Sequence, residues 1–187
     1  IEENDFSTLV KEVGPFGGVI SPTEPVGAVS LNVPGGVLSE SVSVRLKEIE
    51  MPLGGATLGS KETLSGSTNT YERVSGTYSF EPHGQTFDLP VYITIQYEQG
   101  LWDQERAKTE AQTRLVFLKK ESESDLEWKP LAGGKFANGV ATLATTSFSL
   151  YKVAIEKDET KPAEDATTAE ARLTPGMPGA DIAKCIN

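Results

Sequence analysis

The chain has little cysteine and little histidine. Its 187 residues include one cysteine, Cys185, and one histidine, His83. A single cysteine excludes a disulfide within the chain, which leaves a free thiol or a disulfide to another chain as the alternatives for Cys185. One histidine does not make a metal site of the zinc type. We therefore expect no bound metal and no cofactor.

Positive charge is also scarce. Seventeen lysines and arginines stand against 27 aspartates and glutamates, which gives a net charge of −10. Binding to a phosphate backbone needs clustered basic side chains, so we expect no nucleic-acid partner. The acidic runs at residues 121–127 and 156–165 lack the ordered spacing of a calcium-binding loop and are typical of a solvated surface.

Long apolar runs are absent. A membrane-spanning helix needs about 18 or more consecutive apolar residues, and the sequence has no such run, so we expect no membrane span. The sequence begins at Ile1 without the basic and apolar regions of a signal peptide. We therefore expect a mature product or an excised fragment.

Strand patterns dominate what is present. Residues 91–97 (VYITIQY) alternate between apolar and more polar side chains, and residues 41–49 (SVSVRLKEI) do the same. Clusters of glycine, proline and asparagine separate these segments from shorter strand candidates. Those candidates are residues 18–20, 29–33, 76–80, 114–119, 127–129, 140–144 and 148–155. Many short strands with turns between them predict an all-β fold, an antiparallel β-sandwich.

The chain divides into three predicted parts. Residues 1–13 form an N-terminal arm or a first strand, residues 14–156 form the sandwich, and residues 157–187 form a flexible acidic linker or tail. The tail is rich in lysine, glutamate, alanine and proline with little to bury. Residues 162–173 within it favour a weak helix that stops before Pro175. Residues 103–112 lack an apolar face and predict an exposed loop or one short helix.

Three stretches carry a resemblance to a known family. They are residues 14–49, residues 78–97 with the segment "YSFEPHGQTFDLPVYITIQY", and residues 128–154 with "ATTSFSLYKVA". Together they resemble the ZU-five domain, named for the zonula occludens proteins and the uncoordinated-five receptors, and the middle stretch is closest to the version in bacterial surface proteins. The resemblance implies a β-sandwich and says little about function.

The resemblance also implies one candidate reaction. Some ZU-five domains of death-domain scaffolds and inflammasome sensors cut a Phe-Ser bond at the end of the fold, which Phe148 and Ser149 would supply here. The scaffold form usually reads His-Phe-Ser, but Ser147 stands at the histidine position. The inflammasome form takes its histidine from another strand, and His83 is the one candidate. The alternative interpretation is that residues 148–151 simply alternate in a final strand.

Three hypotheses follow. The first is a non-enzymatic structural, adhesion or assembly module of a secreted or cell-surface protein, which contacts other chains or neighbouring domains through sheet edges and terminal segments. The second is a cytoplasmic signalling scaffold with a regulatory unit that cleaves itself at Phe148-Ser149, and a reduced Cys185 is compatible with it. The third is a carbohydrate or small-ligand site at Trp102, Trp128 and Tyr151, although aromatic residues more often pack in a sandwich core.

Overall fold

The structure, a computed structural model, describes residues 8–22, 27–54, 57–108 and 112–158. These residues form twelve strands and one helix. The strands are β1 (Thr8–Val13), β2 (Gly18–Ile20), β3 (Val29–Val33), β4 (Val42–Glu50), β5 (Lys61–Thr63), β6 (Asn69–Glu81), β7 (Thr86–Gln96), β8 (Gln112–Lys120), β9 (Lys129–Leu131), β10 (Lys135–Ala137), β11 (Val140–Ser147) and β12 (Leu150–Asp158). The helix is α1 (Gln99–Arg106). No helix in the described ranges is long and apolar enough to cross a membrane.

The strands form two antiparallel sheets, as the sequence predicted. The seven-stranded sheet has the order β1-β4-β6-β12-β8-β9, with β5 pairing to β6. The five-stranded sheet has the order β10-β11-β7-β3-β2. The predicted all-β sandwich is therefore confirmed.

The main core lies between the two sheets and follows the predicted alternation. Val91, Ile93 and Ile95 of β7 are fully buried, because successive side chains of a strand point to opposite faces. Val44 and Leu46 of β4 enter the same core from the other sheet. Full burial of each such side chain contributes roughly 1.5–3 kcal/mol, so this shared interior is the main stabilising element.

A second apolar cluster lies on the other face of the seven-stranded sheet. Its members are Tyr71, Val116, Leu118, Trp128, Leu150 and Ala154. Lys152 lies on the same face of β12 as Leu150 and Ala154 and is 1% exposed, with its Nζ 3.2 Å from Glu62 Oε1 and 4.3 Å from the centre of the Trp128 ring. Burial lowers the pKa of Lys152, and the Glu62 carboxylate offsets part of that effect. β12 is thus covered on both faces.

The short helix is fixed to the sheet by one buried carboxylate. The Oε1 atom of Glu105 lies 2.5 Å from Nζ of Lys157 on β12, and its Oε2 atom lies 2.5 Å from Nζ of Lys108. Burial raises the pKa of Glu105, but the hydrogen bonds from Lys108 and Lys157 outweigh it and hold the pKa below its ordinary value. The helix, predicted as a loop or one short helix around residues 103–112, begins four residues earlier because Leu101 and Glu105 are buried.

Several boundaries differ from the predicted ones. β6 begins at Asn69, seven residues before the predicted start at residue 76, and β12 continues through Asp158, past the predicted start of the tail. The rest of the predicted tail, including the weak helix at residues 162–173 and Cys185, lies outside the described residues. Of the predicted N-terminal arm, Thr8–Val13 forms β1, which pairs with β4.

Candidate functional site

The Phe148-Ser149 peptide lies where the chain crosses from one sheet to the other. β11 of the five-stranded sheet ends at Ser147, and β12 of the seven-stranded sheet begins at Leu150. The prediction that Phe148 and Ser149 belong to the final strand is therefore wrong, because the chain changes sheets within these two residues. Phe148 is 1% exposed and Ser149 is 0% exposed. The peptide is enclosed by protein.

The hydroxyl of Ser149 lies against the carbonyl group that precedes it. Its Oγ atom is 2.6 Å from the carbonyl oxygen of Phe148 and 3.3 Å from Oε2 of Glu121. The backbone N–H of Gly84 donates to the same carbonyl oxygen over 3.4 Å. These are groups that acyl transfer to serine requires: a hydroxyl beside a carbonyl, a carboxylate that accepts the proton, and an N–H that faces the oxygen on which charge develops.

The turn that carries His83 lies beside this peptide. Nε2 of His83 is 2.7 Å from Oγ of Ser79, and Ser79 pairs with Leu150 in the register of β6 and β12. The same turn provides the Gly84 N–H and the carbonyl oxygen of Gln85, which accepts a hydrogen bond from the Phe148 N–H over 3.0 Å. Within the described residues, the partners of the Ser149 hydroxyl are the Phe148 carbonyl and Glu121, whereas the imidazole bonds to Ser79.

Two residues near the peptide were missed by reasoning from the sequence. Glu121 was assigned to a solvated acidic run, and its side chain is indeed 54% exposed while one of its oxygens reaches Ser149. Lys119 Nζ lies 3.3 Å from Glu121 Oε1 and 2.9 Å from Ser147 Oγ. Both contacts depend on the pairing of Leu150 with Lys120 across β12 and β8. No local pattern in the sequence reveals that register.

Aromatic packing holds the side chain of Phe148. Its ring centre lies 4.9 Å from that of Phe87 and 6.4 Å from that of Phe80. Phe87 follows the His83 turn and is 8% exposed. The three rings therefore fix the crossing and the His83 turn against each other, at the cost of little side-chain freedom.

A second candidate site lies where β1 and β2 form edges of the two sheets. β1 ends the seven-stranded sheet and β2 ends the five-stranded sheet. Three large apolar side chains are exposed on this stretch: Val10 by 53%, Phe16 by 99% and Val19 by 52%. Val10 pairs with Arg45 on the outer face of the seven-stranded sheet, and Val19 pairs with Asn32 on the outer face of the five-stranded sheet, with Phe16 in the turn between the two strands. We call these three residues the N-terminal edge, because each lies at the border of a sheet, where a partner chain can reach it.

The turn between β1 and β2 holds Phe16 in a fixed position. The N–H of Gly17 donates to the carbonyl of Gly14 over 2.9 Å, and the N–H of Gly36 donates to the carbonyl of Pro15 over 2.8 Å. Gly17 has a φ of +82°, and a Cβ atom there would lie 2.2 Å from the carbonyl oxygen of Val33. Only glycine fits this position, so the turn is specified by the sequence.

The three aromatic residues considered as a ligand site are largely buried. Tyr151 is 0% exposed and Trp128 is 7% exposed, while Trp102 is partly buried against the main core. Tyr151 and Trp102 pack with the main core, and Trp128 packs with the second cluster. Within the described ranges, no group of three or more histidine, cysteine, aspartate or glutamate side chains is arranged to hold a metal ion.

The architecture defines the class of this protein as a two-sheet antiparallel β-sandwich. Comparison with models of known protein families finds no match, and comparison with curated proteins finds no relative. The resemblance to ZU-five domains therefore stays a proposal.

Proposed function

We propose that this chain is a non-enzymatic β-sandwich module of the ZU-five type that assembles with further copies of itself or with neighbouring domains. The single observation that supports this function best is the N-terminal edge, with Val10, Phe16 and Val19 exposed along two adjoining sheet edges. The setting we propose is a secreted or cell-surface protein, in keeping with the resemblance to the bacterial version of the domain.

The two edges differ in how open they are. Nζ of Lys11 donates to the carbonyl oxygen of Val19 over 2.7 Å, which occupies an acceptor on β2 that an added strand would use. β1 has β4 as a neighbour on one side, and the other side is an edge. An edge strand presents unpaired backbone groups to which a strand of another chain can add. We therefore propose that contact is made along β1, with Phe16 as the anchor.

A rigid anchor favours affinity. Phe16 stands on a turn fixed by two backbone hydrogen bonds, so little conformational freedom is lost when its ring is buried by a partner. Aromatic side chains of this kind often dominate the binding free energy of an interface.

Sedimentation velocity over a range of protein concentrations tests the assembly. We expect the unaltered protein to self-associate, and Phe16→Ser to weaken the association at least about tenfold, which corresponds to about 1.4 kcal/mol. Leu126→Ser is the matched control, because Leu126 is also 99% exposed but lies in the loop between β8 and β9. A protein that stays monomeric at every concentration would contradict assembly with further copies of the chain, and equal effects of the two variants would contradict the role of Phe16 as the anchor.

Self-cleavage at Phe148-Ser149 is a second candidate, favoured by the contacts of the Ser149 hydroxyl. In this reaction Ser149 Oγ attacks the carbonyl carbon of Phe148 and gives its proton to a base, and the C–N bond breaks with return of a proton to the amine. The product is an ester that water hydrolyses. Glu121 is the carboxylate within reach of Ser149 Oγ at 3.3 Å, whereas the resemblance implies His83 as the base.

Intact mass measurement under denaturing conditions tests this second candidate. Denaturation is needed because β12 pairs with both β6 and β8, which would keep the two pieces together. Cleavage predicts fragments of residues 1–148 and 149–187 that are lost in Ser149→Ala and retained in the control Ser147→Ala. Glu121→Gln and His83→Gln then distinguish the two bases. A chain that keeps its full mass after long incubation removes this candidate and leaves the first untouched.

A further inference from the structure

The outer face of the five-stranded sheet is uncharged at its centre. In β7 the side chains of Tyr92 and Thr94 point away from the core, because Val91, Ile93 and Ile95 point into it. Residues directly opposite each other in an antiparallel pair lie on the same face, so the strand registers identify the rest of this surface. We call it the uncharged face, and it consists of Ser30, Asn32, Tyr92, Thr94, Thr142 and Ala144.

These six residues form two rows across three strands. Thr94 lies between Ser30 and Thr142, and Tyr92 lies between Asn32 and Ala144. The second row continues onto β2, where the exposed Val19 pairs with Asn32. Neighbouring strands are about 4.8 Å apart, and most of the six side chains are small. The result is a surface of short side chains that carry hydroxyl and amide groups, with one aromatic ring, that of Tyr92, at 39% exposure.

Charged residues lie only at the margins of this surface within the described part of the sheet. Lys135 is opposite Thr142 on the edge strand β10. Asp88 precedes Tyr92 by four residues on β7, a distance of about 13 Å along an extended strand. No carboxylate stands within either row, although the chain as a whole has a net charge of −10.

The outer face of the seven-stranded sheet is the opposite in character. It carries ion pairs such as Arg73 with Glu50 at 3.4 Å and Lys152 with Glu62 at 3.2 Å. The absence of charge is therefore a property of one face and not of strand surfaces in this protein generally. A neutral ligand that binds the uncharged face displaces water but desolvates no ion. Desolvation of an ion is the costliest part of burying polar groups.

The chemistry of the surface favours a hydroxylated ligand over a protein. The centres of protein interfaces are enriched in apolar and aromatic groups, whereas five of the six side chains here are a serine, an asparagine, two threonines and an alanine. Their hydroxyl and amide groups lose stability if they are buried without hydrogen-bond partners. A sugar chain offers a hydroxyl partner along its whole length, and an aromatic ring can pack on the C–H face of a pyranose.

We propose that the uncharged face is a binding site for a neutral polysaccharide, with Tyr92 as the stacking residue and Asn32, Thr94 and Thr142 as hydrogen-bonding residues. The site is separate from the Phe148-Ser149 peptide and from β1, and it adjoins the N-terminal edge only through Val19, which pairs with Asn32.

Binding of the whole chain to microcrystalline cellulose and to chitin tests the proposal, with the depletion of protein from solution as the measurement. We expect half-saturation below about 1 mM, an affinity of the order found for weak specific binding. Tyr92→Ala should weaken binding about tenfold and Tyr92→Phe should retain it, because the ring and not the hydroxyl makes the stacking contact.

Thr94→Glu places a carboxylate at the centre of the surface and should abolish measurable binding, since that charge must be desolvated. Thr8→Glu is the matched control, because it adds the same charge to an exposed position on β1. Equal thermal midpoints for the two variants establish that Thr94→Glu leaves the fold intact.

Two results overturn the proposal. One is that neither cellulose nor chitin removes the unaltered protein from solution, or that each polysaccharide removes Thr94→Glu and Thr8→Glu to the same extent. The other is that the polysaccharides fail to bind while Thr94→Glu, and not Thr8→Glu, breaks up a dimer of the protein. That second result assigns the surface to contact between two copies of the chain.

Discussion

Replacement of Ile93 by alanine tests the face assignment on which the core and the uncharged face both depend. Ile93 is fully buried in β7 and pairs with Leu31 on β3 and with Leu143 on β11. The change removes three carbon atoms, which at about 0.8 kcal/mol each gives roughly 2.4 kcal/mol of lost transfer free energy. The cavity that is left adds to this, so we expect the free energy of unfolding to fall by about 3–4 kcal/mol.

Urea denaturation followed by circular dichroism measures this change. With a urea slope of about 1–3 kcal/mol per molar, the midpoint should fall by roughly 1–4 M. Ile93→Val should cost only about 0.5–1.5 kcal/mol. Thr94→Ala, one residue further along the strand, should change stability by no more than about 0.5 kcal/mol because its side chain faces outward. Similar costs for Ile93→Ala and Thr94→Ala would refute the assignment, since a register shift of one residue exchanges the two faces.

Three further predictions concern charge and backbone shape. Because the pKa of Glu105 is lowered in the folded protein, its contribution to stability is present above its ordinary pKa and is lost as pH falls through the folded value. Glu105→Gln should therefore cost about 1–3 kcal/mol at pH 7 and much less in acid. Urea midpoints measured over a range of pH check this. Because the pKa of Lys152 is lowered in the folded protein, the unfolded chain binds more protons than the folded one at pH values below about 10.5. The stability of the unaltered protein relative to Lys152→Met should therefore rise as pH approaches 10.5. A stability difference between the two proteins that does not change with pH contradicts this. Gly17→Ala should cost more than about 2 kcal/mol in thermal unfolding experiments, whereas Gly36→Ala, also at positive φ but with open space around it, should cost about 1 kcal/mol.

The long alternating strands could be predicted from the sequence because their signal is local. Residues 91–97 and 41–49 show which side chains face the core, and Ile93 and Leu46 are fully buried as that pattern requires. The short strands β5, β9 and β10 carry three residues each and no readable period. They are set by pairing with longer neighbours, and a pairing partner is a property of the whole chain.

The candidate site at the Phe148-Ser149 peptide was predictable in some of its residues and not in its geometry. The sequence singled out His83, Phe148 and Ser149, and the structure places the His83 turn beside the Phe148-Ser149 peptide. The two-residue crossing between sheets looks like a continuing strand in sequence, because Phe148 and Leu150 keep the alternation. The approach of Glu121 to Ser149 arises from the register of β8 with β12, which no composition or spacing rule specifies.

The position of β12 has a consequence for how the protein is made. The strand nearest the carboxyl end of the described chain lies in the middle of the larger sheet, between β6 and β8. During synthesis those two neighbours emerge from the ribosome with nothing between them, so the larger sheet cannot close until residues 150–158 are free. Until then β6 and β8 each expose a strand border that β12 later covers, in addition to the outer edges at β1 and β9, and a product that ended before residue 150 would keep these borders open. We expect the nascent protein to depend on chaperones until β12 is released and to gain protease resistance in that one step.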